Sequence, residues 1–255
     1  MMKTSTGSPR KKPHRKGPLG GEDRIDPLRG GQEKPSNEEQ RGDGAIRGRI
    51  SADLNQALEK LTGQSIGWIP SPNFGDRNGM IDTVVLHYTV TGSLEETIDL
   101  FKDRGKRASA HYVIGKDGQI IQMVDVGKKA WHAGTSEFHG RPDVNDFSIG
   151  IELVNWGLLK ERNGVLFSWP ERYGTEYQGR SPVHKGGEWW DPFTEMQYRV
   201  LAHLIGQIRV HFPLIAPDRI VGHGDVAIPR GRKIDPGLAF DWDRVKKDLQ
   251  HVLKD

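Results

Sequence analysis

The chain of 255 residues contains no cysteine. Disulfides and every chemistry that runs through a thiolate are therefore excluded, and any bound zinc must be held by histidine, aspartate or glutamate. A reducing compartment suits this composition but is not required by it. Long apolar runs are also missing. No stretch approaches the roughly 20 consecutive apolar residues of a membrane-spanning helix, and no apolar segment follows the early positive charges as in a secretory leader. The expectation is a chain with neither a membrane span nor an export leader. Aliphatic residues are scarce over residues 1–48. Residues 1–50 hold 12 Lys and Arg against 7 Asp and Glu, leaving 25 against 27 for the rest, so the basic character belongs to the tail. Such a segment cannot bury enough surface to offset the entropy of ordering. Residues 1–48 are expected to form a disordered tail, and Lys11-Lys12-Pro13-His14-Arg15-Lys16 could make weak, unselective contact with polyanions. A solvated tail with no dedicated partner is the plainer reading.

From residue 49 onward the pattern is that of one folded domain, residues 49–255. Leu54, Ala57, Leu58 and Leu61 predict a short helix over 52–61, and residues 68–80 read as an irregular Pro/Gly/Asn loop. Residues 81–88 are an apolar, β-branched run, read as a buried central strand with His87 at its carboxyl end, where open α/β sheets place their chemistry. Ser93 and Glu96 form a capping box ahead of a helix that Gly105 ends. Asp117-Gly118 between apolar runs predicts a hairpin. Residues 147–154 alternate, with Ile149, Ile151 and Leu153 on one face and Ser148, Gly150, Glu152 and Val154 on the other. The Trp- and Gly-rich residues 155–192 show no clear period and are read as a long connection able to wall a cleft. Thr194 and Gln197 cap a helix through His211, a short strand over 219–222 delivers His223, and residues 241–253 form a closing helix. Strands interspersed with helices predict an α/β domain, a mixed central β-sheet flanked by helices.

Two segments carry the chemistry. Val84-Val85-Leu86-His87-Tyr88-Thr89 ends a strand with an imidazole, and Val221-Gly222-His223, running on to Gly231-Arg232-Lys233-Ile234-Asp235-Pro236-Gly237, adds a second imidazole, an ammonium and a carboxylate on a Gly/Pro-rich loop. Together they could hold a catalytic zinc: three N/O ligands leave a coordination position open, and Zn²⁺ lowers the pKa of a water there to about 7. Taken singly, each histidine reads equally as a satisfied structural residue, and Asp235 as the start of a turn.

These residues resemble the zinc-dependent N-acetylmuramoyl-L-alanine amidases of the type-2 amidase family, whose fold is shared with peptidoglycan recognition proteins. The resemblance runs over residues 81–236 and includes Val85-Leu86-His87-Tyr88-Thr89, Ser109-Ala110-His111-Tyr112-Val113-Ile114, Ala130-Trp131-His132-Ala133-Gly134, Ser148-Ile149-Gly150-Ile151-Glu152-Leu153, and Gly222-His223 with Lys233-Ile234-Asp235-Pro236-Gly237. It implies a Zn²⁺ held by His87, His223 and Asp235, Asp235 standing where some relatives have cysteine. It further implies that Glu152 is the general base and that Lys233 meets the developing oxyanion, with Trp131, His132 and Asn155 facing the substrate. The implied reaction is hydrolysis of the amide between N-acetylmuramic acid and L-alanine of peptidoglycan or muropeptides. Other readings stay open. Lys233 could be a loop charge, Glu152 could pair with Arg107, and Trp131 and His132 could be packing residues. His111 reads as structural or as a residue that orients a ligand imidazole, and His132 with His139 as an adventitious metal pair. A non-catalytic muropeptide-binding module and a metallo-amidase or peptidase acting on a different amide are the rival functions. The missing leader favours cytoplasmic action, with release to the cell wall as a lysin the alternative.

Overall fold

The computed structural model describes residue 63 and residues 65–168 and 174–252. The tail expected over 1–48 and the helix expected over 52–61 lie outside the described residues. Among those described, the strands are β1 (Gly67–Trp68), β2 (Phe74–Asp76), β3 (Thr83–Tyr88), β4 (Tyr112–Ile114), β5 (Ile120–Gln122), β6 (Lys128–Ala130), β7 (Glu137–Phe138), β8 (Arg141–Pro142), β9 (Ser148–Leu153), β10 (Leu158–Arg162), β11 (Val165–Ser168), β12 (Val183–Lys185), β13 (Glu188–Trp190) and β14 (Ile220–Gly222). The α-helices are α1 (Leu94–Lys102), α2 (Glu195–His211), α3 (His223–Val226) and α4 (Trp242–Val252). None is long and apolar enough to cross a membrane.

Six strands make the central sheet, in the order β1-β5-β4-β9-β3-β14. β3 runs parallel to β9 on one side and to β14 on the other, and β4 is also parallel to β9. The hairpin at Asp117-Gly118 turns β4 into antiparallel β5, so the sheet is mixed, with helices against it. Every residue of β3 and β9 is buried, as expected for central strands of a sheet covered on both faces.

Alternation along these strands separates structure from chemistry. Val84, Leu86 and Tyr88 of β3 and Ile149, Ile151 and Leu153 of β9 join the main core, where they meet Val200, Leu201, Leu204, Ile205 and Ile208 of α2 and Val245 and Leu249 of α4. Successive side chains of a strand point to opposite faces. His87, Gly150 and Glu152 therefore belong to the other face, which two smaller apolar clusters cover. One contains Val85, Ala133, Val144, Phe147 and Val226; the other joins Leu94 and Phe101 of α1 to Val113, Ile121 and Met123. In the β3–β9 ladder His87 is paired with Glu152. A slip of one residue would send Glu152 into the core under α2.

The structure departs from the sequence reading in three places. Residues 155–192 are not a plain connection: β10 to β13 form an antiparallel sheet in the order β11-β10-β13-β12. Its strands have three to five residues and its inner positions are filled by Trp190, Leu158 and Leu159, too short a pattern for a period to show. Residues 68–80, expected to be irregular, contain β2, which pairs with β6, and the end of β1. At the start of α1, Ser93 Oγ accepts from the Glu96 N–H as expected, but the Glu96 carboxylate takes the N–H of Gly92 rather than that of Ser93.

The capping box of α2 ties that helix to the sheet. Thr194 Oγ1 accepts from the Gln197 N–H, and Gln197 Oε1 accepts from the Thr194 N–H. The amide of the same buried Gln197 donates to the Val154 carbonyl at 2.9 Å, just beyond β9. Replacing Gln197 by Leu keeps the volume but strips the Val154 carbonyl and the Thr194 N–H of their partners. Chemical denaturation is expected to show a loss on the order of 2–4 kcal/mol.

Candidate active site

Three atoms from distant parts of the chain meet beside the carboxyl ends of β3 and β14, on the face opposite α2. His87 Nδ1 lies 3.0 Å from Asp235 Oδ2 and 3.1 Å from His223 Nδ1, and His223 Nδ1 lies 3.0 Å from Asp235 Oδ2. Sequence and topology explain the meeting. β3 and β14 are parallel neighbours, with Gly222 paired to Leu86, so His87 and His223 leave the sheet side by side. Asp235 arrives from the following loop, which lies directly on Gly222: a Cβ there would come within 2.7 Å of Pro236 Cδ and 3.0 Å of the Asp235 carbonyl oxygen. The Gly224 N–H donates to that same carbonyl. All three side chains are buried.

The far nitrogen of each imidazole fixes where its proton sits. His223 Nε2 is 3.0 Å from the Ala133 carbonyl, which can only accept, so His223 carries its proton on Nε2. His87 Nε2 is 3.0 Å from His132 Nδ1, and His132 Nε2 is 3.2 Å from Ser148 Oγ. The Ser148 hydroxyl donates to the Val144 carbonyl at 2.7 Å. Because that terminal carbonyl takes the serine proton, Ser148 accepts from His132 Nε2–H, and His132 Nδ1 accepts from His87 Nε2–H. Both imidazoles therefore turn bare Nδ1 lone pairs towards a carboxylate oxygen. A second proton on His87 is disfavoured: burial, and after it the neighbouring His223, push its pKa down to about 4, against the pull of Asp235. Burial would raise the Asp235 carboxyl, but its contacts with His223 and His87 outweigh that and hold it well below the usual range.

Three electron-rich atoms packed this closely fit a metal cation. Their spacing is near the separation of about 3.3 Å between neighbouring ligands of a tetrahedral ion with bonds of about 2.0–2.1 Å. Among the described residues, His87, His223 and Asp235 form the one such group of potential metal ligands.

Beside the trio opens a cleft of about 320 Å³, which Glu152, Lys233, Trp131 and His132 help to line. Glu152 is buried, and its Oε2 has no hydrogen-bond partner. Burial first and the Asp235 carboxylate second push its pKa up to about 8, against the pull of Lys233. Lys233 is exposed on the 231–235 loop and bears electrostatically on both Glu152 and His87. The weighed pairing of Glu152 with Arg107 is not made, since Arg107 sits exposed in a left-handed turn. Trp131 is half-buried on the cleft wall.

Two residues expected to face a substrate spend their side-chain polar atoms on hydrogen bonds within the protein. His132 lies at the cleft floor with both ring nitrogens engaged by His87 and Ser148, which leaves neither for a ligand. Asn155 is fully buried and absent from the cleft lining: its amide donates to the Asp191 carbonyl and its Oδ1 accepts from the Gly157 N–H. His111 is likewise internal, accepting from the Gly150 N–H through Nδ1 and meeting the Lys128 carbonyl through Nε2. His139 is exposed, away from buried His132. The sequence reading overlooked Ser148 and Asn145. The Asn145 side-chain oxygen accepts the backbone N–H groups of both His132 and Ala133. Ser148 faces His87's side of β9 by alternation, the one signal that could have found it.

The family model described as N-acetylmuramoyl-L-alanine amidase matches residues 77–238, more than half of the chain. Over 138 residues the chain is 41% identical to a 1,6-anhydro-N-acetylmuramyl-L-alanine amidase, AmpD, of Haemophilus influenzae, a match covering 54% of this chain and 56% of that protein. To the N-acetylmuramoyl-L-alanine amidase AmiD of Escherichia coli it is 32% identical over 173 residues, covering 65% of this chain and 52% of the relative. The chain thus spans about half the length of these curated relatives. Among solved structures, an AmpD derivative superposes with a TM-score of 0.50 at 27% identity, covering 72% of this chain and 94% of that one. Escherichia coli AmiD in complex with the substrate anhydro-N-acetylmuramic acid-L-Ala-D-γ-Glu-L-Lys gives 0.51 at 26%, covering 69% and 65%. A matched segment that contains the whole buried trio, Glu152 and Lys233 places this chain in the N-acetylmuramoyl-L-alanine amidase family.

Proposed function

We propose that the chain is a zinc hydrolase that cleaves the amide between N-acetylmuramic acid and L-alanine in muropeptides, with His87, His223 and Asp235 as the metal ligands. One observation carries this reading: two bare imidazole nitrogens and a carboxylate oxygen converge at 3.0–3.1 Å beside an unpartnered buried glutamate. When bound, the zinc supplies Lewis acidity, a water of lowered pKa and a positive charge that draws Glu152 towards its ionised form. Glu152 takes the proton of the attacking water and later passes it to the departing amine of L-alanine. The Lys233 ammonium, on the open side of the same cleft, meets the negative charge that develops on the carbonyl oxygen in the transition state. Trp131 offers an apolar wall for the sugar or the first residues of the stem peptide. The muropeptide as substrate is supported by the names of the relatives and by the ligand of the AmiD complex. A purely binding role is disfavoured by the intact trio, which such a role would not need.

Chelation is expected to abolish hydrolysis of a soluble anhydromuropeptide and added zinc to restore it, with mass spectrometry showing free stem peptide that begins at L-Ala. Activity that survives complete metal removal, or a break at another amide, overturns the proposal. Parallel assays on intact sacculi and soluble fragments separate a lysin from an enzyme acting on released fragments. The basic tail is part of the proposal as a weak polyanion contact: removing residues 1–45 should lower retention on sacculi while leaving turnover of soluble fragments unchanged.

Glu152 carries a signed pH prediction. Its pKa is 4.5 ordinarily and about 8 in the fold, so folding favours the protonated form. The metal-free protein thus keeps this contribution below pH 4.5 and loses it progressively as pH rises towards 8. Glu152→Gln, which mimics the protonated acid, is expected to raise Tm in chelator at pH 8, by the equivalent of a few kcal/mol, with little change at pH 4.5. The same variant should bind zinc yet turn over at least about 100-fold more slowly. Near-normal turnover with zinc bound would remove Glu152 from the mechanism.

A further inference from the structure

We infer that His132 and Ala133 form one strap that aims both ligand imidazoles, and that His132 is a positioning residue for the metal centre instead of a contact for the substrate. The inference rests on the reading of the trio as a zinc site. Two adjacent residues receive the outer protons of both histidines: His132 through its ring Nδ1 and Ala133 through its carbonyl oxygen. Each acceptor fixes a tautomer, and with it the direction of the Nδ1 lone pair that a metal would use.

The strap is itself held from three sides. Asn145 Oδ1 accepts both of its N–H groups, at 3.2 and 2.8 Å. Upstream, Ser109 Oγ accepts from the Trp131 N–H at 2.9 Å while donating to the Asn73 carbonyl. Downstream, Arg232 Nη2 donates to the Ala133 and Thr135 carbonyls at 3.2 and 2.7 Å, which couples the strap to the loop that carries Lys233 and Asp235. The His132 ring lies flat on the backbone of β9. A Cβ at Gly150 would stand 2.4 Å from His132 Cγ and 2.8 Å from its Nδ1, so the glycine of the Ser-Ile-Gly-Ile-Glu block leaves room for the positioning ring. Ser148 then anchors the ring's far side, and its own proton goes to the Val144 carbonyl. Every proton of the series has an acceptor and the series ends on backbone; the inverted series would instead turn a His87 Nδ1–H towards Asp235 and leave that nitrogen no lone pair for a metal, so the direction is what the tautomer measurement below reads.

The test compares His132→Leu, which fills the space but accepts nothing, with His132→Asn, whose Oδ1 stands close to where Nδ1 stands. Zinc affinity is measured by competition with a chromophoric chelator, and the fold of each metal-free variant by thermal unfolding. An aiming role predicts that Leu weakens zinc binding about 10- to 100-fold, whereas Asn stays within about threefold of the parent chain. A packing role predicts the reverse order or no difference, and either overturns the inference. Should the Leu variant not fold, Ser148→Ala decides: about three- to tenfold weaker zinc binding supports the strap, and parent-like affinity sinks it. Long-range ¹H–¹⁵N spectra give an independent readout, with His87, His132 and His223 all expected as Nε2–H tautomers; an Nδ1–H His132 contradicts the scheme. If the parent chain binds no zinc at all, the metal reading itself fails, an outcome distinct from any of these.

Discussion

The whole arrangement depends on mutual repulsion held in check. Two imidazole nitrogens and one carboxylate oxygen, each with lone pairs directed at the others, are forced to about 3 Å by the backbone that carries them. The parallel pairing of β14 with β3 supplies two of the three atoms, and the loop lying on Gly222 supplies the third. Burial adds to the cost, since it removes the water that would otherwise solvate the acid. The strength that keeps these atoms together comes from the apolar core. Here that core is the tightly packed face on which α2 and α4 meet β3 and β9.

What the sequence disclosed follows from how each signal is encoded. The central strands were legible because β3 and β9 are continuous aliphatic runs, and α2 because Thr194 and Gln197 mark its start. Alternation in residues 147–154 was enough to send Glu152 away from the aliphatic side. The lateral sheet was not legible, because β10 to β13 are short and owe their pairing to one another and to Trp190 rather than to any period of their own. In the candidate site, His87, Glu152, His223 and Asp235 stood out through their order along the chain and the family resemblance it carries, and the structure brings His87, His223 and Asp235 together. His132 was read as a substrate contact, yet both of its ring nitrogens are engaged by His87 and Ser148, partners that only the folded chain brings to it. Asn155 was misplaced for a related reason. It follows the glutamate strand in sequence, yet its amide donates to the backbone carbonyl of Asp191, a residue whose buried carboxylate in turn binds Lys116, Tyr177 and the Trp156 N–H. Such convergence is invisible in a linear pattern.

Electrostatics and hydrogen bonding set the protonation states jointly. His111 and His132 are kept neutral chiefly by burial, then by nearby cationic or imidazole groups, and neutral rings can relay direction without adding charge beneath a cation. Half-buried Arg77, its pKa lowered to about 10 chiefly by desolvation, spends its Nη donors on the carbonyls of Asn145, Asp146, Lys128 and Ser148. It thereby braces the same turn that presents Asn145 to the strap.

The pairing of His87 with Glu152 on one rung of the β3–β9 ladder divides the site into a stiff half and a compliant half. His87 and Glu152 ride on the same pleated slab, so their separation is set by strand spacing and is insensitive to motion at the rim. Asp235 and Lys233 travel together on the opposing lip. Swinging that lip outward would carry the carboxylate and the ammonium away from the pleat in a single movement, so that under the proposed roles loss of metal and loss of transition-state stabilisation become one event.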